Sequence, residues 1–134
     1  MRIAMIGGGY VGLVSSACFA EFGSEVSVVE VDGAKLKALR INQMPIYEPG
    51  LDALVVKNVE AKRLRFTDDL ESALEDVEAV FIAVGTPTRR GDGTADLSYV
   101  YAAAEQVARA LKTYAVIVTK STVPVGTGDR KSVV

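Results

Sequence analysis

The sequence predicts an α/β domain, a doubly wound parallel sheet whose five strands run in the order 3-2-1-4-5. Two observations carry this. Apolar runs of strand length alternate with stretches of helical period along the whole chain. The strand runs hold few polar positions, the pattern of strands covered on both faces by helices. Right-handed crossovers between such strands then give the order.

The elements follow in turn. Residues 2–6 read as a first strand, and residues 10–22 as a helix that Gly23 ends as its C-cap. Residues 25–30 form a second strand and 34–41 a second helix. The loop "NQMPIYEPG", with two prolines, leads into a helix at about 51–61. Residues 64–67 are a third strand, after which Asp68 or Asp69 caps a short helix reaching about Glu75. Residues 79–84 are an entirely apolar fourth strand. The long polar loop "GTPTRRGDGTAD" precedes a helix at about 97–111, and 115–119 is the fifth strand. A helix begins at about Gly128. With no repeat, low-complexity tract or linker, residues 1–134 make one domain, an unfinished one in which a sixth strand is missing.

Composition excludes several classes. The 134 residues are 49% hydrophobic and 24% charged, enough for one core. Net charge is −2 and no run of lysine or arginine exceeds two, so neither nucleic acid nor an anionic membrane is an expected partner. The apolar start is broken by Gly7-Gly8-Gly9, too soon for a signal peptide or a membrane span. Cys18 is the single cysteine, which fits a reducing cytoplasm. It lies among Ala17, Phe19 and Ala20 and reads as a small buried apolar residue. Without histidine, no Ser-His or Cys-His pair and no zinc-ligand spacing exists, and no metal is expected.

Gly7-Gly8-Gly9-Tyr10-Val11-Gly12 has the G-x-G-x-x-G spacing. Alone the spacing is weak evidence. Here it follows a strand, opens a helix and precedes an acid, Glu30, 23 positions after Gly7, as a dinucleotide fingerprint requires. Gly7 permits the tight turn, Gly9 lets backbone approach a pyrophosphate, and Gly12 lets the helix sit close to the sheet, helped by Ser15, Ser16 and Ala20. The N–H groups around Tyr10 and Val11 aim partial positive charge at the phosphates. Glu30 would accept from both hydroxyls of the adenosine ribose and repel a 2′-phosphate, favouring NAD over NADP. Asp32 is its rival for that role, or else a helix N-cap. Lys35 either closes over the ribose or is an ordinary exposed lysine.

Two turns leave the carboxyl ends of strands four and five, where ligands of doubly wound sheets lie. "VGTPT" offers Gly85 and Thr86, and "KSTVPVGT" offers Ser121 and Thr122. Such residues either line a cofactor or make ordinary loops.

The segments "IGGGYVGLVSSACFAEFG", "PIYEPGL", "FIAVGTPT", "GDGTADLSYV" and "VTKSTVPVGTG" together resemble the N-terminal part of the UDP-glucose/GDP-mannose dehydrogenase family, over the whole chain. The pairing of "YEPGL" with "TKSTVPVGT" is far more specific than the glycine spacing, and the match looks nearest to the UDP-glucose-oxidising members. The resemblance implies a Rossmann domain with its phosphate loop on Gly7 to Gly12, Val11 donating its N–H, and its ribose acid and lysine on Glu30 and Lys35. Nicotinamide-side contacts fall on Thr86, Ser121 and Thr122, with Thr122 also helping to position water. Two departures stand out. Glu30 replaces the more usual aspartate, and Gly8 suggests a loop more flexible than one with Thr, Ala or Leu.

By the same resemblance, the parent enzyme is about three times longer. It oxidises C6 of UDP-glucose to UDP-glucuronate with two NAD, through a cysteine in a "GGSCFPKD"-like segment absent here; Cys18 is not that cysteine. The chain is therefore expected to be a truncated cofactor-binding half that binds NAD and is inactive alone. A cytoplasmic homo-oligomer is expected, with self-association through 115–119. GDP-mannose or UDP-N-acetylmannosamine are alternative substrates. A non-catalytic NAD-sensing module and a hydroxy-acid dehydrogenase are the rival classes, both disfavoured by "YEPGL" and "KSTVPVGT".

Overall fold

In the computed structural model, which describes residues 1–129, the elements run β1 (Arg2–Ile6), α1 (Tyr10–Glu21), β2 (Glu25–Val29), α2 (Gly33–Arg40), α3 (Leu51–Glu60), β3 (Leu64–Thr67), α4 (Leu70–Ala73), β4 (Ala79–Ile82), α5 (Ser98–Ala110) and β5 (Val116–Thr119). All four strand pairings are parallel and the sheet order is β3-β2-β1-β4-β5, as the sequence predicts.

Strand pleating divides the core in two. Ile3 and Met5 of β1 join Leu13, Ala17 and Ala20 of α1 and Leu51 and Val55 of α3 on one face. Ala4 and Ile6 point the other way, joining Ala73 of α4 and Val100, Ala103 and Val107 of α5. Each fully buried Val or Leu contributes about 1.5–3 kcal/mol, so helices on both faces, rather than any single contact, hold the strands parallel.

Two helix starts, those of α2 and α4, follow capping aspartates. Asp32 accepts the amides of Ala34 and Lys35 at 2.9 and 3.0 Å, which starts α2 at Gly33. Asp69, rather than Asp68, caps α4 through the Ser72 amide at 3.0 Å. At the other end of α1, Gly23 takes φ +97° and donates to the Ala20 carbonyl, closing the helix. The polar loop before α5 is a pinned hairpin rather than a free coil. Thr88 bridges Ala95, and Asp92 accepts from both the amide and the hydroxyl of Thr94.

Several boundaries differ from expectation. β4 stops at Ile82 instead of 84 because its neighbour β1 ends at Ile6, and only the Ala83 amide reaches back, to the Ile6 carbonyl at 2.8 Å. α4 ends at Ala73 rather than near Glu75, and Asp76 then takes φ +52°, which no helix accommodates. The helix expected from about Gly128 lies, past Asp129, outside the described residues; Thr127–Asp129 form one 3-10 turn.

Cys18 is exposed, against the expectation of burial. The inward face of α1 is Gly12, Leu13, Ser16, Ala17 and Ala20, and Cys18 falls one 100° step beyond Ala17. Between Val11 and Ala20 the helix is apolar nearly all round, so its sequence does not mark which face is buried. Among the described residues no helix is long and apolar enough to cross a membrane.

Candidate functional site

Strand order reverses at β1, which lies between β2 and β4. The turns leaving the carboxyl ends of β1, β2, β4 and β5 therefore surround one crevice. The chain at Gly7 turns sharply, with φ +110° and its amide on the Val29 carbonyl at 2.9 Å. It also passes against β4: a Cβ there would lie 2.6 Å from the Ala83 carbonyl oxygen. Only glycine satisfies both conditions.

Two further glycines have opposite surroundings. A Cβ on Gly12 would lie 2.0 Å from the Gly7 carbonyl oxygen, so helix and loop touch there. A Cβ on Gly9 would meet nothing within 4 Å. Gly9 is the N-cap of α1, and its missing side chain leaves the amides of the first turn without a side-chain acceptor. No acid stands in that turn either. The result is an open, electropositive helix start over which an anion has room to approach.

Glu30 follows β2 and is only 7% exposed. Its Oε2 accepts the Gly8 amide at 3.1 Å and its Oε1 the Asp32 amide at 2.9 Å. A carboxylate offers about four lone-pair directions, so two remain beyond these bonds. Asp32 is committed to capping α2, and the amides of Lys35 and Ala34 hold its carboxyl below the usual range. Lys35 is exposed on the first turn of α2. Gly8 is buried, and its amide donates to Glu30.

On the far side of β1, the Ser121 hydroxyl donates to the Val84 carbonyl at 2.8 Å and its amide to that of Ile82 at 3.1 Å. This bond clamps the two turns after β4 and β5 together. Thr86 is half-buried there, while Gly85 and Thr122 are exposed. With the Gly7–Ala83 approach, the turns carrying Gly7–Gly12, Gly85–Thr86 and Ser121–Thr122 form one continuous rim, with Glu30 on the opposite side of β1.

A contact that sequence reasoning missed adjoins the rim. Tyr10, at the start of α1, donates its hydroxyl to Glu48 Oε2 at 2.7 Å, anchoring the "YEPGL" loop beside the open start of that helix. That carboxylate raises the tyrosine pKa, first through the hydrogen bond and then through its charge. The two residues stand 38 positions apart, and no local sequence pattern links them. A cavity of about 470 Å³ lies elsewhere, at the amino ends of the strands between Arg2, Glu25, Arg65 and Asp76. Arg2 there pairs with Glu25 at 3.4 Å and Asp76 at 3.1 Å, and Arg65 bonds Ser27 and Ser72, at the opposite ends of the strands from the switch-point turns.

A doubly wound parallel sheet with an open, glycine-lined helix start at its switch point defines a Rossmann domain that binds a nicotinamide dinucleotide. Residues 1–134 match the family model of the NAD-binding domain of the UDP-glucose/GDP-mannose dehydrogenase family, and the chain belongs to that family. It is 63% identical to a UDP-glucose 6-dehydrogenase of Rhizobium meliloti over 96% of this chain and 30% of that protein. Among solved structures it resembles a ternary complex of GDP-mannose dehydrogenase from Pseudomonas aeruginosa (TM-score 0.91, 36% identity, 97% of this chain and 30% of that one). It also resembles a UDP-glucose dehydrogenase from Pyrobaculum islandicum (TM-score 0.86, 41% identity, 93% and 29%). The chain thus spans about 30% of the length of these relatives.

The residues present fit NAD. Gly9 leaves space at the start of α1, and Glu30 keeps lone pairs free at the end of β2.

Proposed function

We propose that this chain is the cofactor-binding part of a UDP-glucose 6-dehydrogenase, a protein that oxidises UDP-glucose to UDP-glucuronate with two NAD. The observation that carries the cofactor half is the open start of α1 facing a carboxylate whose two oxygens are already oriented by backbone amides. The 63% identity to a UDP-glucose 6-dehydrogenase supports the substrate. GDP-mannose is the second reading, supported by the TM-score of 0.91 to a dehydrogenase of that sugar nucleotide.

NAD, when bound, supplies the acceptor for hydride. The chain's own residues bind and orient. The amides of Tyr10 and Val11 hold the pyrophosphate, in the space left by Gly9. Glu30 accepts from the adenosine ribose hydroxyls, and Lys35 closes over them. Gly85, Thr86 and Ser121 line the nicotinamide half. The proton of Ser121 is spent on Val84, so its oxygen serves there as an acceptor. Thr122, exposed at the rim, positions water in the complete protein. Nothing in the chain provides a thiol at the crevice, since Cys18 lies mid-helix on α1, so the chain alone produces no NADH from UDP-glucose. We place the protein in the cytoplasm, as a homo-oligomer.

Calorimetric titration with NAD and NADP tests the reading. NAD binds more tightly, and equal or tighter NADP binding rejects the role given to Glu30. In the complete protein, Thr122→Ala lowers turnover more than it weakens NAD; the reverse would make Thr122 a cofactor contact only.

A further inference from the structure

Gly8 differs from the glycines on either side of it in why it must be small. Gly7 is fixed by φ +110° and by the Ala83 backbone, and Gly12 by the Gly7 backbone at 2.0 Å. Gly8 has no left-handed backbone, so any residue could adopt its conformation. What a Cβ at Gly8 would meet is Glu30, 2.9 Å from Oε2 and 3.4 Å from Cβ, together with Leu39 Cδ1 at 3.4 Å. Leu39 is wholly buried and has nowhere to go. Glu30 Oε2 is the tip of a flexible side chain and does. Crowding at position 8 is therefore relieved by displacing the carboxylate, at little cost to the fold.

We propose that Gly8 is a positioning residue for Glu30, and that the two form a matched pair setting cofactor preference. The Gly8 amide donates to Oε2 while the missing Cβ leaves the volume that the carboxylate occupies. The Asp32 amide holds Oε1. Two amides on two oxygens fix the plane of the group before any ligand arrives, which removes an ordering cost from binding. An aspartate at position 30, shorter by one carbon–carbon bond of about 1.5 Å, would withdraw from Gly8 and leave room for a side chain there. Gly8 thus suits Glu30, and a larger residue suits aspartate. The proposal rests on the assignment of Glu30 to the adenosine ribose.

The test is a double-mutant cycle on the 134-residue chain with Gly8→Ala, Glu30→Asp and the double variant, titrated with NAD and with NADP. Each single change weakens NAD roughly tenfold, whereas the double variant stays within about tenfold of the parent instead of falling a hundredfold. Gly8→Ala also narrows the preference for NAD over NADP, which a purely structural defect would leave unchanged. Its melting temperature stays within a few degrees of the parent. Additive losses, or a melting temperature lowered as far as by Gly12→Ala, overturn the pairing. Glu30→Gln separates the two readings. If it binds NAD as tightly as the parent, the ribose assignment itself fails; if it weakens NAD while the cycle is additive, only the pairing fails.

Discussion

Substituting alanine at Gly12 and at Gly9 should separate the folding role of the glycine loop from its binding role. At Gly12 the new methyl carbon would lie 2.0 Å from one backbone oxygen and 3.1 Å from its carbon, more than an ångström inside contact distance. Neither atom belongs to a side chain that can rotate away. Helix α1 must lift from the loop, and on it Leu13, Ser16, Ala17 and Ala20 are all 0% exposed. Overpacking costs about 1–3 kcal/mol, and a clash between two backbones belongs at the upper end. For a domain of this size, about 3 kcal/mol lowers the melting temperature by roughly 10–15 °C. Gly9 has φ −76° and empty space where its Cβ would go. There the weaker N-cap preference of alanine is offset by its lower unfolded-state entropy, for a net change within about 0.5 kcal/mol. Gly9→Ala therefore melts within a few degrees of the parent, by circular dichroism without cofactor. Its NAD affinity falls by roughly tenfold or more, because the methyl fills the approach to the α1 amides. If Gly9→Ala melts as low as Gly12→Ala, or binds NAD like the parent, the division of roles is wrong.

Two other predictions rest on different parts of the structure. Asp32, Asp92 and Asp96 hold their protons less tightly than usual, chiefly because the amides of Lys35, Thr94 and Ser98 bond to them, and Glu21 does so chiefly through Lys57. Their stabilisation is present above the ordinary carboxylate range near pH 4 and lost as pH falls through their lowered values. Urea midpoints should thus fall steeply below pH 4, less so in Asp32→Asn; an equally steep fall in that variant would contradict the cap's part in it. The second prediction concerns the sheet edges. The β3 edge carries Arg63 and Arg65, whereas β5 shows Val116 and Ile117 half-exposed and no charge before Lys120. The chain should self-associate through β5, and Val116→Lys should shift sedimentation toward monomer; unchanged sedimentation would refute this.

What the sequence could show was whatever repeats along the chain. Strand order followed from apolar runs and crossover handedness, because those are properties of contiguous segments. Caps were partly legible for the same reason, since each bonds amides two or three positions away: Asp32 stood as a cap or a ribose acid, and the choice between Asp68 and Asp69 was left to the structure. The buried face of α1 was not legible, because a helix apolar almost all round carries no phase, and Cys18 was misplaced on that account. Nor were the contacts that shape the rim. Gly8 to Glu30 spans 22 positions, Tyr10 to Glu48 spans 38, and Ser121 to Val84 spans 37.

Each of those three bonds ties one turn to another, and each changes the meaning of a residue already singled out. Ser121 becomes an acceptor because its proton is used elsewhere, and Gly8 has no room for a side chain because a carboxylate fills the space beside it. Residue type at a motif position thus fixes which chemistry is available. The partner brought to it by the sheet fixes which lone pair or proton is left free, and so the turns at the switch point are tied to one another rather than standing as separate loops.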